Sequence, residues 1–142
     1  MPEKKYAKYV VSEPLGTIAT QPLLKDIERF EINGLIWGKD LVISHSAVHK
    51  PLLMLNQPHT HPYDEFVCFI GGNPLDPRDF GAEVEMCLGE EQEKYIITKS
   101  TVIYLPANFP HCPLDFKVVK NPVILMTITL GKEYSQVQVT KK

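Results

Sequence analysis

Twelve prolines are spread through the 142 residues of this chain, and they limit what it can become. Proline removes a backbone donor and breaks helix interiors, so the distribution favours short strands joined at tight corners. Short apolar or alternating runs recur at Leu35–Trp37, Leu41–Ile43, Pro51–Gln57, Glu65–Ile70, Ala82–Leu88, Tyr95–Thr98, Val102–Leu105, Phe116–Val119 and Val123–Leu130. In Ala82–Leu88 the alternation is explicit, with Val84, Met86 and Leu88 on one face and Glu83, Glu85 and Cys87 on the other. Turn residues separate the runs: Asn33-Gly34, Gly38-Lys39-Asp40, Gly71-Gly72, the loop Asn73–Gly81 and Gly89–Gln92. Many short strands at close spacing predict an all-β sandwich or barrel.

Residues 1–33 read as an N-terminal arm, with a short strand at Tyr9–Val11. One or two helical turns are expected through Pro22, Leu23, Leu24, Ile27 and Phe30. Residues 34–131 form the barrel, and residues 132–142 a polar C-terminal tail.

The chain is long enough to bury a sizeable core as one domain. A net charge of −2 and only two arginines, Arg29 and Arg78, argue against a nucleic-acid protein. No apolar run reaches the roughly 20 residues of a membrane span. No apolar segment follows Met1–Lys5 as a secretory signal would require, so a cytoplasmic location is expected. Cys68, Cys87 and Cys112 are odd in number and lack close pairing, as reduced thiols would be.

Chemistry concentrates in His59-Thr60-His61-Pro62-Tyr63-Asp64-Glu65. Two residues apart on a strand share a face, about 6.6 Å apart, so both imidazoles can converge on one ion. Pro62-Tyr63-Asp64 reads as a corner, after which Glu65 re-enters the sheet beside the strand just left. Val67 and Phe69 share the inward face with Glu65, and Cys68 points away. Leu53, Leu55 and Gln57 share the parity of His59 and are expected to wall the site, making a dry, narrow pocket with no interior arginine or lysine. A second segment, Ser100–His111, runs as a strand into Pro106, turns at Asn108 and brings His111 toward the first. Three imidazoles and a carboxylate suit a divalent transition metal. His45 and His49 read as solvated loop residues, and Cys112 as a packed thiol facing away from His111.

These residues resemble the cupins. Their first motif, Gly-x5-His-x-His-x3,4-Glu-x6-Gly, is matched at His59, His61, Glu65 and Gly72, with Leu53 at the leading glycine. Their second, Gly-x5-Pro-x-Gly-x2-His-x3-Asn, is matched at Pro106 and His111, with Ser100, Asn108 and Asp115 at its other positions. The resemblance covers about residues 35–130. It implies a small double-stranded β-helix (jelly-roll) barrel with one metal held by His59, His61, Glu65 and His111. Iron, manganese, zinc, nickel and copper all accept that ligand set. It also implies a homodimer in which the arm adds a strand to, or covers, a partner's sheet edge. Two open octahedral positions on the metal are available to a small-molecule ligand. The expected function is therefore that of a small-molecule enzyme: a dioxygenase, isomerase or lyase acting on a carboxylate- or hydroxyl-bearing compound. The alternative is a non-catalytic binding or sensing cupin with a structural metal. No nucleic-acid or membrane partner is expected.

Overall fold

The computed structural model describes residues 4–16, 29–131 and 137–138. Twelve strands are assigned among them: β1 Leu15–Gly16, β2 Arg29–Asn33, β3 Val42–Val48, β4 Leu52–Leu55, β5 His59–Thr60, β6 Glu65–Gly71, β7 Ala82–Leu88, β8 Glu93–Ile97, β9 Thr101–Leu105, β10 His111–Val119, β11 Val123–Thr129 and β12 Val137–Gln138. They form two antiparallel sheets. The first runs β1-β2-β3-β11-β6-β9 and the second β12-β5-β10-β7-β8, with β4 also paired to β10. No helix among the described residues is long and apolar enough to cross a membrane.

The core lies between the sheets. Val48, Val67, Phe69, Val123 and Leu125 come from the first sheet, and Val84, Met86, Ile97, Leu114 and Phe116 from the second. Phe69 and Phe116, both fully buried, meet across the gap with ring centroids 6.2 Å apart. Burying side chains of this size from both layers is what holds two sheets face to face. Alternation explains most of the pattern. In β3, Val42, Ser44, Ser46 and Val48 are buried while the residues between them are half-buried or exposed. In β7 the predicted bounds hold, with Val84 and Met86 inward; Cys87 is buried as well.

Several local expectations are corrected. Ala7–Tyr9 is a 3-10 turn in place of a strand, and Trp37 Nε1–H ties it down by donating to the Lys8 carbonyl at 2.7 Å. Gly34–Trp37 is a second 3-10 turn, initiated where the Asn33 side chain accepts the Leu35 N–H and ended by Gly38 at φ 68°. Phe30 stands on β2, which joins β3 of its own chain, so its neighbours are strand neighbours and not a helical turn. The remaining expected helical positions lie outside the described residues. His45 belongs to β3, and only His49 lies past its end.

Candidate metal centre

The site is built at one end of the sandwich. In the second sheet, antiparallel pairing sets His59 of β5 directly opposite His111 of β10. His61 follows one residue beyond β5. The corner Pro62-Tyr63-Asp64 then carries the chain across to the first sheet, where Glu65 opens β6. This corrects the expectation that Glu65 re-enters beside the strand just left: the carboxylate arrives from the opposite layer. The corner is held in place by Asp64, whose carboxylate accepts the Ala107 N–H at 2.8 Å and the Tyr104 hydroxyl at 3.1 Å. Asn108, left-handed at φ 66° as the turn requires, donates its N–H to the His61 carbonyl at 2.7 Å. Both ligand-bearing segments are thereby fastened to one another.

His59, His61 and His111 are all buried, and their candidate ligand atoms lie within 4.8 Å of one another. A single point therefore lies within about 2.8 Å of all three, and metal–imidazole bonds of about 2.1 Å need only sub-ångström closure. The outer nitrogens have neighbours that orient the rings. His111 Nδ1–H donates to the Phe109 carbonyl at 2.9 Å, and His59 Nδ1 lies 3.4 Å from the Gln57 carbonyl. His61 Nδ1 lies 3.4 Å from the Tyr63 hydroxyl, and the Tyr63 ring stacks on that imidazole at 5.1 Å and 7°. The carbonyl partners fix the tautomers of His59 and His111, and all three partners turn Nε2 toward the centre. His111 Nε2 is buried without a hydrogen bond. Glu65 places one carboxylate oxygen 3.5 Å from His61 Nε2 and the other 3.9 Å from His111 Nε2.

Electrostatics follow from burial. Removal from water lowers His59 to about 4, helped by the neighbouring His61, and lowers His111 to about 4. The same desolvation raises Glu65 to about 7 against the opposing pull of Arg29. Near neutrality His59 and His111 are neutral, as metal ligation demands, and Glu65 is poised to give up its proton.

Other expected wall residues divide. Val67 and Phe69 are buried on the Glu65 face, and Cys68 is buried too. Leu53 is exposed and Leu55 packs against the core, because the chain leaves the strand at Asn56–Pro58 and the parity with His59 is lost. Cys112 is buried in the core cluster; a register shift after His111 and a φ of 81° let both neighbours face inward. The inner face of the first sheet is also less apolar than expected. Phe30 and His45 pair on the outer face of the first sheet, with ring centroids 6.1 Å apart, so Arg29 and Glu31 share the inner face with Ser44 and Ser46. Tyr63, Asp64 and Arg29 were not foreseen as parts of the site. The signal for Arg29 is a period-two polar pattern, Arg29-x-Glu31, Ser44-x-Ser46 and Thr127-x-Thr129, spread over three strands.

With the geometry in view, comparison with solved structures is decisive for the architecture. The polyketide cyclase RemF from Streptomyces resistomycificus superposes with a TM-score of 0.61 at 12% identity, over 100% of this chain and 88% of that one. An oxalate oxidase gives 0.56 at 14% identity, over 92% of this chain and 63% of that one. The DMSP lyase DddQ from Ruegeria pomeroyi gives 0.55 at 15% identity, over 86% of this chain and 58% of that one. All three are cupin-fold proteins. The chain has the cupin fold. The chain spans less than two thirds of the oxidase and the lyase. No protein-family model matches the sequence, and no curated protein matches it.

Proposed function

We propose that this cupin holds one divalent transition metal through His59, His61, His111 and Glu65, and that it is a metal-dependent small-molecule enzyme. The observation that carries the reading is the shared orientation of three buried imidazoles. Their outer nitrogens face carbonyl or hydroxyl oxygens, and the inner His111 Nε2 has no hydrogen bond. A buried polar nitrogen left unsatisfied is costly unless something occupies the space before it. The donor set, nitrogen with one carboxylate, suits iron, manganese, nickel, copper or zinc. Bound there, such an ion supplies Lewis acidity toward a carbonyl, hydroxyl or carboxylate oxygen. The chain's own residues supply the rest: Tyr63 and the Phe109 carbonyl orient ligand rings, Asp64 fixes the corner, and buried Val67 and Phe69 exclude water.

The substrate class is a small compound bearing a carboxylate or hydroxyl, and the reaction is that of a dioxygenase, isomerase or lyase. The solved neighbours named as a cyclase, an oxidase and a lyase support an enzymatic reading. Elemental analysis of untagged protein, followed by turnover on a panel of such compounds, tests it. One equivalent of metal and turnover lost in His59→Ala and His111→Ala are expected. Equal activity in those variants would refute it.

Assembly as a homodimer belongs to the same reading. Tyr6, Tyr9 and Val10 in the N-terminal arm are each at least 60% exposed, which supports their packing against a second copy. Sedimentation showing only monomer at micromolar concentration would reject it.

A further inference from the structure

The inner face of the first sheet carries an unbroken polar path leading away from the histidine group. Thr129 stands opposite Glu65 in the pairing of β11 with β6. It is buried, and its Oγ1 has no hydrogen-bond partner. Two residues along, Thr127 stands opposite Ser44, and their hydroxyls are hydrogen-bonded. Ser44 in turn pairs with Glu31, and two residues further Ser46 pairs with Arg29. Ser44 and Ser46 are buried. The path therefore covers four residue steps, about 13 Å along the strands. Its far end opens outward, with side chains 21% exposed at Arg29 and 37% at Glu31.

Arg29 is the anomaly. Its Nε is buried without a hydrogen bond, and its nearest anion is the Glu31 carboxylate at 3.4 Å. A guanidinium is built for bidentate pairing with a carboxylate, and here that capacity is largely unspent. An apolar pocket would not place an arginine and four hydroxyls on one inner face, because each hydroxyl costs free energy to bury unless it is bonded.

We infer that Arg29, with Ser46 and the hydroxyls of Ser44, Thr127 and Thr129, forms a second subsite that binds the carboxylate and hydroxyl groups of a hydroxylated organic acid, reaching from the partly exposed Arg29 end of this path toward the histidine group. The inference rests on the proposed metal site for the ligand's inner end, but the Arg29 end stands on its own. Glu31 occupies the place of the incoming carboxylate and competes with it. The ligand's carboxylate replaces Glu31 at the guanidinium, and its hydroxyls meet Ser46, Ser44 and the unpaired Thr129.

The probes are succinate, malate and tartrate, diacids with no, one and two hydroxyls, titrated calorimetrically into metal-free and zinc-loaded protein. Affinity is expected to rise in that order. Arg29→Gln should weaken tartrate about tenfold or more, Arg29→Lys less, and Glu31→Gln should tighten it, as loss and gain of a charge-assisted bond predict. Zinc affinity measured separately should change by no more than about twofold in Glu31→Gln, the variant that leaves the Arg29 charge acting on Glu65 in place. Tartrate binding that ignores Arg29→Gln and Glu31→Gln, or no acid binding to the wild type at about 10 mM, overturns the inference. Absence of zinc binding with tartrate binding still dependent on Arg29 refutes the metal site and sustains the subsite.

Discussion

Filling the histidine group with a divalent ion must release protons, and the structure says which side chain loses them. Burial lowers His59 and His111 to about 4, so both rings are already neutral at pH 6. At their ordinary value the two would together shed about 1.5 protons on binding metal at that pH; in this site they shed almost none. Burial outweighs the pull of Arg29 and raises Glu65 to about 7, so the carboxyl is still largely protonated at pH 6. A carboxylate ligand must be ionised, and Glu65 should therefore release about 0.9 proton at pH 6, about 0.5 at pH 7 and about 0.1 at pH 8. The assay is zinc titration into metal-free protein by calorimetry, in buffers of different ionisation enthalpy, for the wild type and Glu65→Gln. Glutamine keeps an oxygen donor but has no proton to give. Wild type minus variant isolates the share of Glu65 and should fall along those three values. A difference near zero at pH 6 would show that Glu65 is not the proton source. Release of more than about one proton at pH 6 by Glu65→Gln would show that the buried rings are not held neutral.

The metal-free protein should lose stability in acid with a defined slope. The lowered rings of His59 and His111 favour the folded state above pH 6.5, and that contribution is lost as pH falls toward 4, while the raised Glu65 contributes in the opposite sense between pH 7 and 4.5. Two rings against one carboxyl leave a net loss of about 3 kcal/mol over this window, and Glu65→Gln should roughly double it, as denaturant melts at several pH values would show. Tyr63→Phe keeps the stack on His61 but removes the hydroxyl 3.4 Å from its Nδ1. Zinc affinity in a competition titration should fall about tenfold, with the melting temperature of the metal-free protein little changed. Gly131→Ala should be more disruptive, because its Cβ would stand 2.5 Å from Cδ1 of the buried Tyr63 ring. A loss of about 1–3 kcal/mol, together with weaker zinc binding, is expected from thermal unfolding and titration.

The sequence was most legible where physics acts locally. Period-two alternation places β7 and the inward faces of β6, spacing pairs His59 with His61, and the turn after Pro106 together with the family motif adds His111 as the third side chain that converges. Legibility fails where the chain changes layer. Pro62-Tyr63-Asp64 announces a corner, but a corner does not say whether the next strand joins the same sheet or the facing one, so Glu65 came to the site from an unexpected side. Parity fails across Asn56–Pro58 for a related reason: three residues outside a strand erase the phase, and Leu53 turns outward. The polar inner wall was hidden because its strands, β2, β3 and β11, are far apart in sequence and meet only through pairing. Arg29 and Phe30 read locally as part of a helical arm, whereas pairing with β3 makes them a strand and sends them to opposite faces.

The crossing of Pro62–Asp64 has a mechanical consequence. His59 and His111 hang from one layer and Glu65 from the other, so an ion gripping all of them would rivet the layers together at one end of the sandwich. Donor spacing then becomes a gauge of layer separation. Shaving a ring from the Phe69–Phe116 contact, which bridges the two layers, would be felt as a change in grip on the ion.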